Sequence, residues 1–396
     1  MNPTQAEQIE VVGEEPPEPE DPFPAGYVHL IALVALAVTL LCMPTPRPVQ
    51  AQESTSAEES TSVRAGASRR AAPAAQSEAA VLRAIEDGLD FLAGEQKDGG
   101  KFSNTYPVAI TSLAGMAFVG AGVQYDRGKH GVALGRAVRY LLDVQPEGER
   151  QGYLTDPNSR MHGHAYAMLF LTQVLGTMPS PTLEKRLRER VRAGIKVIAR
   201  SQTTRGGWGY TPGDEFDEAS ITVCCLQALR AAKDAGIEIQ NPNLKSVVDG
   251  AVRYLKDSCL EDGSFRYSLA RNVDRPSYEL TAAAVSTLDA AGQYAAKEHA
   301  RGIAYMRRVL ESYRDQPLSA SSRYLYYGNL YAAQVFHQEG GEVWDAWLPA
   351  ARRQLLAERK SGHSSWDDQK FGPEYATAVA LLILEVPLAY LPIFER

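Results

Sequence analysis

Three carboxylates stand within four residues of one another, in the segment Glu215-Phe216-Asp217-Glu218, directly before an apolar helix. A carboxylic acid that is desolvated, and kept acidic by hydrogen bonds to one of its oxygens, can donate a proton to a bound substrate. Asp217 is the candidate acid, with Glu215 and Glu218 as its neighbours. A structural role is open as well, because Asp217 with Ser220 three residues later is typical of a helix N-terminus, where acids complement the helix dipole. Contact with the polar part of a ligand is the third possibility.

A second set of side chains falls at the starts of the other apolar helices and combines aromatic faces with hydrogen-bonding tips. This composition suits a long apolar ligand with one polar end, such as an isoprenoid. The structural alternative is that each polar residue caps the start of its own helix. The predicted ligand-binding residues are His162, His164, Tyr278, Glu279, Tyr326, Tyr327, Asn329, Glu374 and Tyr375.

Metal and cofactor chemistry has little support in the residue pattern. His162 and His164 are the one pair of side chains that suggests a zinc site, but two histidines make an incomplete site. The four cysteines include no CxxC pair, and the adjacent Cys224 and Cys225 point to different faces of a helix. The sequence therefore predicts no metal site and no cofactor, with the cysteines as small buried apolar residues.

The elements that must position these residues are helix pairs, and the pair recurs six times between Ile85 and the C-terminus. The first helices carry charge on one face, and their ends are spaced by 49 to 57 residues. A glycine-aromatic turn follows most of them, as at Gly207-Trp208. The second helices are rich in alanine and apolar on nearly every side. The first helices are predicted to end at Gln96, Gln145, Gln202, Cys259, and near Leu310 and Lys360.

Periods of this length indicate an array of αα-hairpins. Charged first helices belong outside and apolar second helices inside, because a helix that is apolar all round must be buried. We predict an all-α protein, an α/α toroid of six αα-hairpins that closes into a double-layered helical barrel. An open solenoid is the competing architecture, but it needs a polar capping repeat, whereas the last repeat ends in an apolar run. In a closed ring the starts of the inner helices converge on one mouth.

The repeats resemble the prenyltransferase and squalene-oxidase repeat, including the Gln-to-Gly-Trp motif of the terpenoid cyclases at Gln202…Gly207-Trp208. The resemblance covers about Ile85–Arg396. Its C-terminal part, with YYGNLYAAQVF, EVWDAW and YATAVALLIL, is similar to short bacterial squalene-cyclase-like proteins. The resemblance implies the toroid and places the chain beside protein prenyltransferase β subunits as well as cyclases. Fold alone does not choose among these functions.

In the class II cyclases an Asp-x-Asp-Asp motif starts an inner helix, and its middle aspartate protonates an alkene. The resemblance maps this motif onto Glu215, Asp217 and Glu218, which keep a carboxyl at all three positions. Two of the three aspartates are replaced by the longer glutamate. The chain also has one barrel, whereas squalene-type cyclases place their cavity between two.

The N-terminal part of the chain differs in composition from the repeats. We expect residues 1–26 to be disordered, because they are rich in proline and hold seven acids with no Lys or Arg. Residues 27–43 are apolar and read as a signal peptide or a single membrane anchor, which would place the protein at the cell envelope. Residues 44–76 are predicted to be a flexible linker, and residues 77–396 the toroid. Without its acidic tail the chain has 41 acids and 41 bases, a balance that argues against a nucleic-acid partner.

Three functions follow, in order of preference. The first is an isoprenoid-handling protein of the terpenoid-cyclase type, acting as a cyclase or isomerase through Asp217. The second is a non-catalytic toroid that binds a lipid or a protein at the envelope. Inner-helix residues as large as Met168, Phe170 and Phe336 would favour it if they plug the ring. The third is a protein prenyltransferase-like role, which would need a zinc set and a partner subunit.

Overall fold

The computed structural model describes residues 63–145, 151–359 and 364–391, with side chains from residue 78 onward. Within these ranges the chain forms twelve α-helices and no β-strand, which confirms the predicted all-α class. The helices are α1 (Val63–Glu95), α2 (Pro107–Gly120), α3 (Gly131–Asp143), α4 (Arg160–Gln173), α5 (Pro181–Arg200), α6 (Ala219–Asp234), α7 (Leu244–Asp257), α8 (Tyr278–Ala290), α9 (Lys297–Leu310), α10 (Leu325–Glu339), α11 (Gly341–Glu358) and α12 (Pro373–Glu385).

Odd-numbered helices form the outer layer, and α5 shows why. Its buried residues Leu187, Val191, Ile195 and Ile198 recur every three or four positions and so form one apolar stripe. Ser180 begins the helix by accepting a hydrogen bond from the backbone N–H of Leu183. The remaining surface of α5 is charged and faces water. Outer helices are therefore amphipathic, as their sequences predict.

Even-numbered helices form the inner layer and are buried on nearly all sides. Every residue of α12 from Tyr375 to Glu385 is buried, and α8 is buried along its whole length. Alanine and other small residues let neighbouring inner helices approach closely. At Gly115, for example, an added Cβ would lie 2.3 Å from the ring of Phe170 on α4.

The ring is closed. Each inner helix packs against the next, and α12 packs against both α2 and α1. The contact between the first and the last hairpin is the seam of the ring. Three ion pairs with N···O distances of 2.8 Å cross this seam, and they join Lys97 to Glu374, Arg352 to Glu78, and Arg359 to Asp87. The predicted α/α toroid is therefore confirmed, and the open solenoid is excluded.

The glycine-aromatic turns tie each outer helix to the inner helix that follows. In the third hairpin the Trp208 backbone N–H donates to Thr222 Oγ1 at 3.1 Å, and its indole N–H donates to the carbonyl of Ile198 at 2.7 Å. Trp366 repeats both bonds in the last hairpin, with Thr377 and Leu355 as acceptors. The recurring sequence motif is thus a recurring hydrogen-bonded joint.

The centre of the ring is filled by side chains of the inner helices. Tyr331 on α10 donates to Gln227 on α6 at 3.4 Å, a bond that spans the ring past α8. Tyr166 on α4 and Cys224 on α6 meet at 3.6 Å and are both fully buried. Polar and aromatic groups from three inner helices therefore occupy the axis.

The large residues expected to plug the ring point elsewhere. An added Cβ on Gly194 of α5 would lie 2.0 Å from the sulfur of Met168, so Met168 faces the outer layer. Phe336 packs against Trp347 of outer helix α11 at 5.8 Å between ring centroids. Phe170 lies between neighbouring inner helices. Helix rotation, which composition does not reveal, decides which large residue reaches the axis.

One difference concerns the N-terminal region. Helix α1 begins at Val63, within the stretch predicted as a linker, where an alanine-rich sequence favours a helix. Residues 1–26 and 27–43 lie outside the described residues. In the part that is described, no helix combines the length and apolarity needed to cross a bilayer.

Candidate functional site

The starts of α6, α8 and α10 surround a cavity of about 330 Å³ at the mouth of the ring. Its walls include Tyr267, Tyr324 and Leu280, and Arg275 and Arg323 are exposed at its rim. This volume is at the lower end of the range for small-molecule sites. The inner-helix starts therefore form a pocket, as the closed ring implies.

Three buried polar residues from three successive inner helices also line this cavity. They are Ser220, Glu279 and Tyr327, each two residues before the inner-helix positions Thr222, Thr281 and Asn329. The hydroxyls of Ser220 and Tyr327 have no hydrogen-bond partner among the described residues. Glu279 accepts a hydrogen bond through Oε1 from the backbone N–H of Arg323 at 3.1 Å.

Asp217 is fully buried and its two carboxylate oxygens differ. Oδ1 accepts from the Tyr254 hydroxyl at 2.8 Å, from the Leu269 and Ala270 backbone N–H groups at 2.9 and 3.2 Å, and from Ser268 Oγ at 3.3 Å. Oδ2 is buried and has no partner within the described parts of the chain. The donors come from outer helix α7 and from the loop before α8, so Asp217 also holds that loop in place.

Glu218 has a different environment. One of its oxygens accepts from the hydroxyls of Tyr210 (2.7 Å) and Tyr267, and the other pairs with Arg271. The Arg271 guanidinium supplies an opposite charge for this buried carboxyl group. Burial raises the pKa of both tyrosines above the ordinary value, so they remain donors at neutral pH.

Glu215 is exposed on the loop between the glycine-aromatic turn and α6. The structure thus brings Asp217 and Glu218 into the interior and leaves the third predicted carboxylate in solvent. Asp217 has a tyrosine hydroxyl and backbone N–H groups as its hydrogen-bond partners. This environment differs from the three-carboxylate arrangement expected from the sequence.

The two histidines lie in distinct environments. His164 accepts from the Leu154 backbone N–H at 3.1 Å and donates through Nε2 to the carbonyl of Gly194 at 3.0 Å, so both ring nitrogens are used in the fold. Burial lowers its pKa to about 4. His162 is also fully buried, and neither ring nitrogen has a partner in the described structure. Burial lowers the pKa of His162 well below its ordinary value, which keeps the ring neutral.

The other predicted ligand residues are distributed around the mouth. Tyr326 donates to the carbonyl of Asp367 at 3.2 Å and meets the ring of Tyr375 edge to face. The Tyr278 hydroxyl is buried and, within the described ranges, has no partner. Asn329 donates to the carbonyls of Leu318 and Leu325, and Glu374 pairs with Lys97 at the closing seam.

Among the described residues, only Glu86, Asp90 and His130 group closely enough to share a metal ion. Lys129 already pairs with both carboxylates, and His130 bonds to Asp90 at 2.9 Å, so the charges of this surface cluster are compensated. The cluster joins outer helices and is remote in sequence from the mouth. It is not the Asp, Cys and His set of a protein prenyltransferase.

The sequence analysis did not identify several residues that lie at the mouth. Tyr210 and Tyr267 each follow the aromatic residue of a glycine-aromatic turn by two positions, behind Trp208 and Phe265. That shared register was visible in the repeats. Arg271, Arg275 and Arg323 belong to loops of irregular length, and no periodic signal marks them.

No protein-family model matches this chain, and no curated protein matches it. Solved structures with the same fold include the type II terpene cyclase MstE from Scytonema, at 14% identity and a TM-score of 0.52, over 79% of this chain and 99% of that chain. A mutant of the same cyclase in complex with the substrate geranylgeranyl dihydroxybenzoate gives 13% identity and a TM-score of 0.52, over 80% and 99% of the two chains. A mutant of a reducing-end-xylose releasing exo-oligoxylanase gives 14% identity and a TM-score of 0.51, over 80% and 94%. These similarities show the fold alone, so this chain is an α/α toroid of the kind found in type II terpene cyclases and in an oligoxylanase.

Proposed function

We propose that this toroid is a terpenoid-cyclase-like protein that binds an isoprenoid or a similar ligand, with an apolar chain and one polar end, in the cavity at its mouth. The observation that carries the proposal is the cavity itself, whose lining combines apolar and aromatic side chains with the buried hydroxyls of Ser220 and Tyr327, which have no partner among the described residues. Buried polar groups are normally satisfied, so unsatisfied ones facing a cavity suggest a ligand. The terpene cyclase with the same fold binds a geranylgeranyl-bearing substrate.

The catalytic form of this proposal assigns the acid to Asp217. Four donors on Oδ1 stabilise the carboxylate that remains after proton transfer, while Oδ2, which has no partner among the described residues, carries the proton. The proton passes from Oδ2 to an alkene carbon, and the resulting cation closes on a second alkene. Loss of a proton from the cyclised product and reprotonation of Asp217 complete an isomerisation that needs no cofactor. Aromatic faces at the mouth would stabilise the cation.

The test is turnover by the purified full chain. We expect incubation with squalene or geranylgeraniol to give cyclised isomers, detected by gas chromatography and mass spectrometry. The Asp217→Asn variant should lose at least about a hundredfold in rate, as expected when a general acid is removed. Asp257→Asn, an exposed carboxyl at the end of α7, is the matched control and should keep full activity. Turnover that survives in Asp217→Asn excludes Asp217 as the acid.

Binding without chemistry is the second candidate, and two observations favour it. The axis of the ring is filled by Tyr166, Cys224 and Tyr331. Asp217 does not line the mouth cavity, and its hydrogen bonds organise the loop before α8. In this case the full chain would retain an isoprenoid after purification, visible in its lipid extract, and would release it unchanged. Absence of both product and retained ligand contradicts both forms of the proposal.

We further propose that residues 27–43 place the toroid at the cell envelope, as a signal peptide or an anchor. The support is their apolar sequence. Deleting residues 27–43 should move the protein from the envelope fraction to the cytosolic fraction. Equal distribution of both chains would contradict this placement.

A further inference from the structure

We propose that the mouth cavity selects a ligand whose polar end is a neutral alcohol and discriminates against the corresponding phosphate or diphosphate. The inference rests on the proposed function, because it assigns the polar end of the isoprenoid that this cavity binds. Its basis is the chemistry of the three buried polar residues that line the cavity, Ser220, Glu279 and Tyr327, which we call the cavity floor.

The floor offers both hydrogen-bond donors and acceptors. Ser220 and Glu279 are 3% exposed and Tyr327 is 4% exposed, so all three are more than nine-tenths buried while lining the cavity. The hydroxyls of Ser220 and Tyr327 have no partner in the described structure. Each can donate one hydrogen bond and accept others, whereas a carboxylate only accepts. An alcohol, which also donates once and accepts, can therefore satisfy Glu279 and one hydroxyl together.

Glu279 carries the negative charge that decides against an anionic ligand. The backbone N–H of Arg323 donates to its Oε1, and Glu279 lies in the first turn of α8. A phosphate placed on the same floor would meet this buried charge at close range. Like charges brought together at a desolvated site repel each other strongly.

The side chain of Glu279 is also packed tightly against α10, and this packing restricts its rotation. Gly328 on α10 lies directly against it, since an added Cβ there would lie 2.6 Å from Glu279 Cγ and 2.3 Å from Ser321 Oγ. Ser321 in turn donates to the carbonyl of Tyr324 at 2.7 Å. The packing of α8 against α10 thus holds the carboxylate in the cavity wall.

The cations near the cavity do not offset this charge. Arg275 and Arg323 are exposed at the rim, where water and salt screen their fields. Arg271 is paired with Glu218, and Lys370 lies over the ring of Tyr324 at 5.0 Å. The negative group is thus buried and the positive groups are either exposed or engaged.

The experiment compares three ligands with the same carbon chain: farnesol, farnesyl diphosphate and the hydrocarbon β-farnesene. Isothermal titration calorimetry on the full chain should show farnesol binding at least about tenfold more tightly than farnesyl diphosphate. Glu279→Gln keeps the shape of the side chain and removes its charge. It should strengthen farnesyl diphosphate binding by about tenfold and change farnesol binding by no more than about threefold. Glu238→Gln, an exposed carboxyl beyond α6, is the matched control and should leave both affinities unchanged.

A second variant keeps the test independent of Glu279. Tyr327→Phe removes only a hydroxyl, and it should weaken farnesol binding by about threefold to tenfold while leaving β-farnesene binding unchanged. Tighter binding of farnesyl diphosphate than of farnesol by the unmodified chain overturns the alcohol preference and leaves the proposed function standing. Failure of all three ligands to bind overturns the proposed function, and the alcohol preference with it.

Discussion

Three buried carboxylates of this protein have three different environments. Asp217 accepts four hydrogen bonds on one oxygen and, from the residues that the structure describes, none on the other, whereas Glu218 is paired with Arg271. Glu385, at the end of α12, is fully buried, and neither of its oxygens has a partner among the described residues. Chemistry depends on these surroundings more than on residue type, because a carboxyl group donates a proton only when its environment favours both protonation states in turn.

Glu385 gives a prediction at this scale. Burial raises the pKa of its carboxyl well above the ordinary value, so the group is neutral in the folded protein. Because the folded pKa lies above the unfolded pKa, the carboxyl group is protonated in both states below the unfolded pKa. There, ionisation of Glu385 does not reduce the stability of the fold. Stability is then lost as pH rises toward the folded pKa, at about 1.4 kcal/mol per pH unit. As pH rises from 5 toward 7, the unmodified chain should therefore lose stability relative to Glu385→Gln, by up to about 1.4 kcal/mol per pH unit.

Urea unfolding of the two chains at each pH measures this difference. Glu385→Gln is close to isosteric and does not titrate, so groups common to both chains cancel in the comparison. Parallel stability profiles for the two chains would show that Glu385 ionises normally in the fold.

At the scale of the element, the unit of construction is the joint between an outer helix, its glycine-aromatic turn and the next inner helix. Gly206 adopts φ 96° and lies so close to α7 that a Cβ would approach the Gly250 carbonyl oxygen to 2.3 Å. Only glycine fits this conformation and this space. The tryptophan then follows with its backbone N–H directed at Thr222. Repetition of the motif in sequence is therefore repetition of a hydrogen-bonded contact.

The joint predicts equal costs at distant positions. Thr111, Thr222 and Thr377 each accept a buried backbone N–H at 3.0 to 3.1 Å, from Phe102, Trp208 and Trp366. Replacing any one of these threonines by valine keeps the shape but leaves the N–H unsatisfied, which should cost about 1–3 kcal/mol in chemical denaturation.

Thr182→Val, at an exposed position near the start of α5, should change the free energy of unfolding by less than about 0.5 kcal/mol. If replacing one of these three threonines lowers the free energy of unfolding and replacing the other two does not, the repeats are not equivalent and this interpretation is wrong.

At the scale of the whole molecule, the decisive feature is the seam where the first hairpin meets the last. Gly88 of α1 faces Leu381 of α12, with an added Cβ only 2.8 Å from Leu381 Cδ2. The three ion pairs at the seam are partly exposed and contribute little individually. Apolar contact between α1, α2 and α12 therefore holds the ring closed.

A double-mutant cycle across the seam tests closure in solution. Gly88→Leu should destabilise the fold by about 1–3 kcal/mol through overpacking, and Leu381→Ala by about 2–5 kcal/mol through a cavity. The double variant should be more stable than the sum of the two costs by at least about 1 kcal/mol, because the added leucine fills the vacated space. Gly94→Ala on the same helix, with open space around it, should be neutral or slightly stabilising. Additive costs would indicate that the two residues do not meet.

The sequence by itself determined the helix pairs, their order and the layer to which each helix belongs. Helix ends predicted at Gln202 and Cys259 lie within two residues of the observed ends at Arg200 and Asp257. Amphipathicity and turn residues are local properties, so a periodic sequence displays them directly. The apolar end of the last repeat also indicated closure, since a terminal repeat of an open array needs a polar face.

Only the tertiary structure decided which side chains share the mouth. Glu215 and Asp217 are neighbours in sequence, but one is exposed and the other is fully buried. Ser220, Glu279 and Tyr327 are separated by long stretches of chain and line one cavity. Met168 is as apolar as any residue on the axis but faces the outer layer. The physical reason is that the rotation of each helix is set by packing against its neighbours around the whole ring, and no local sequence pattern encodes that rotation.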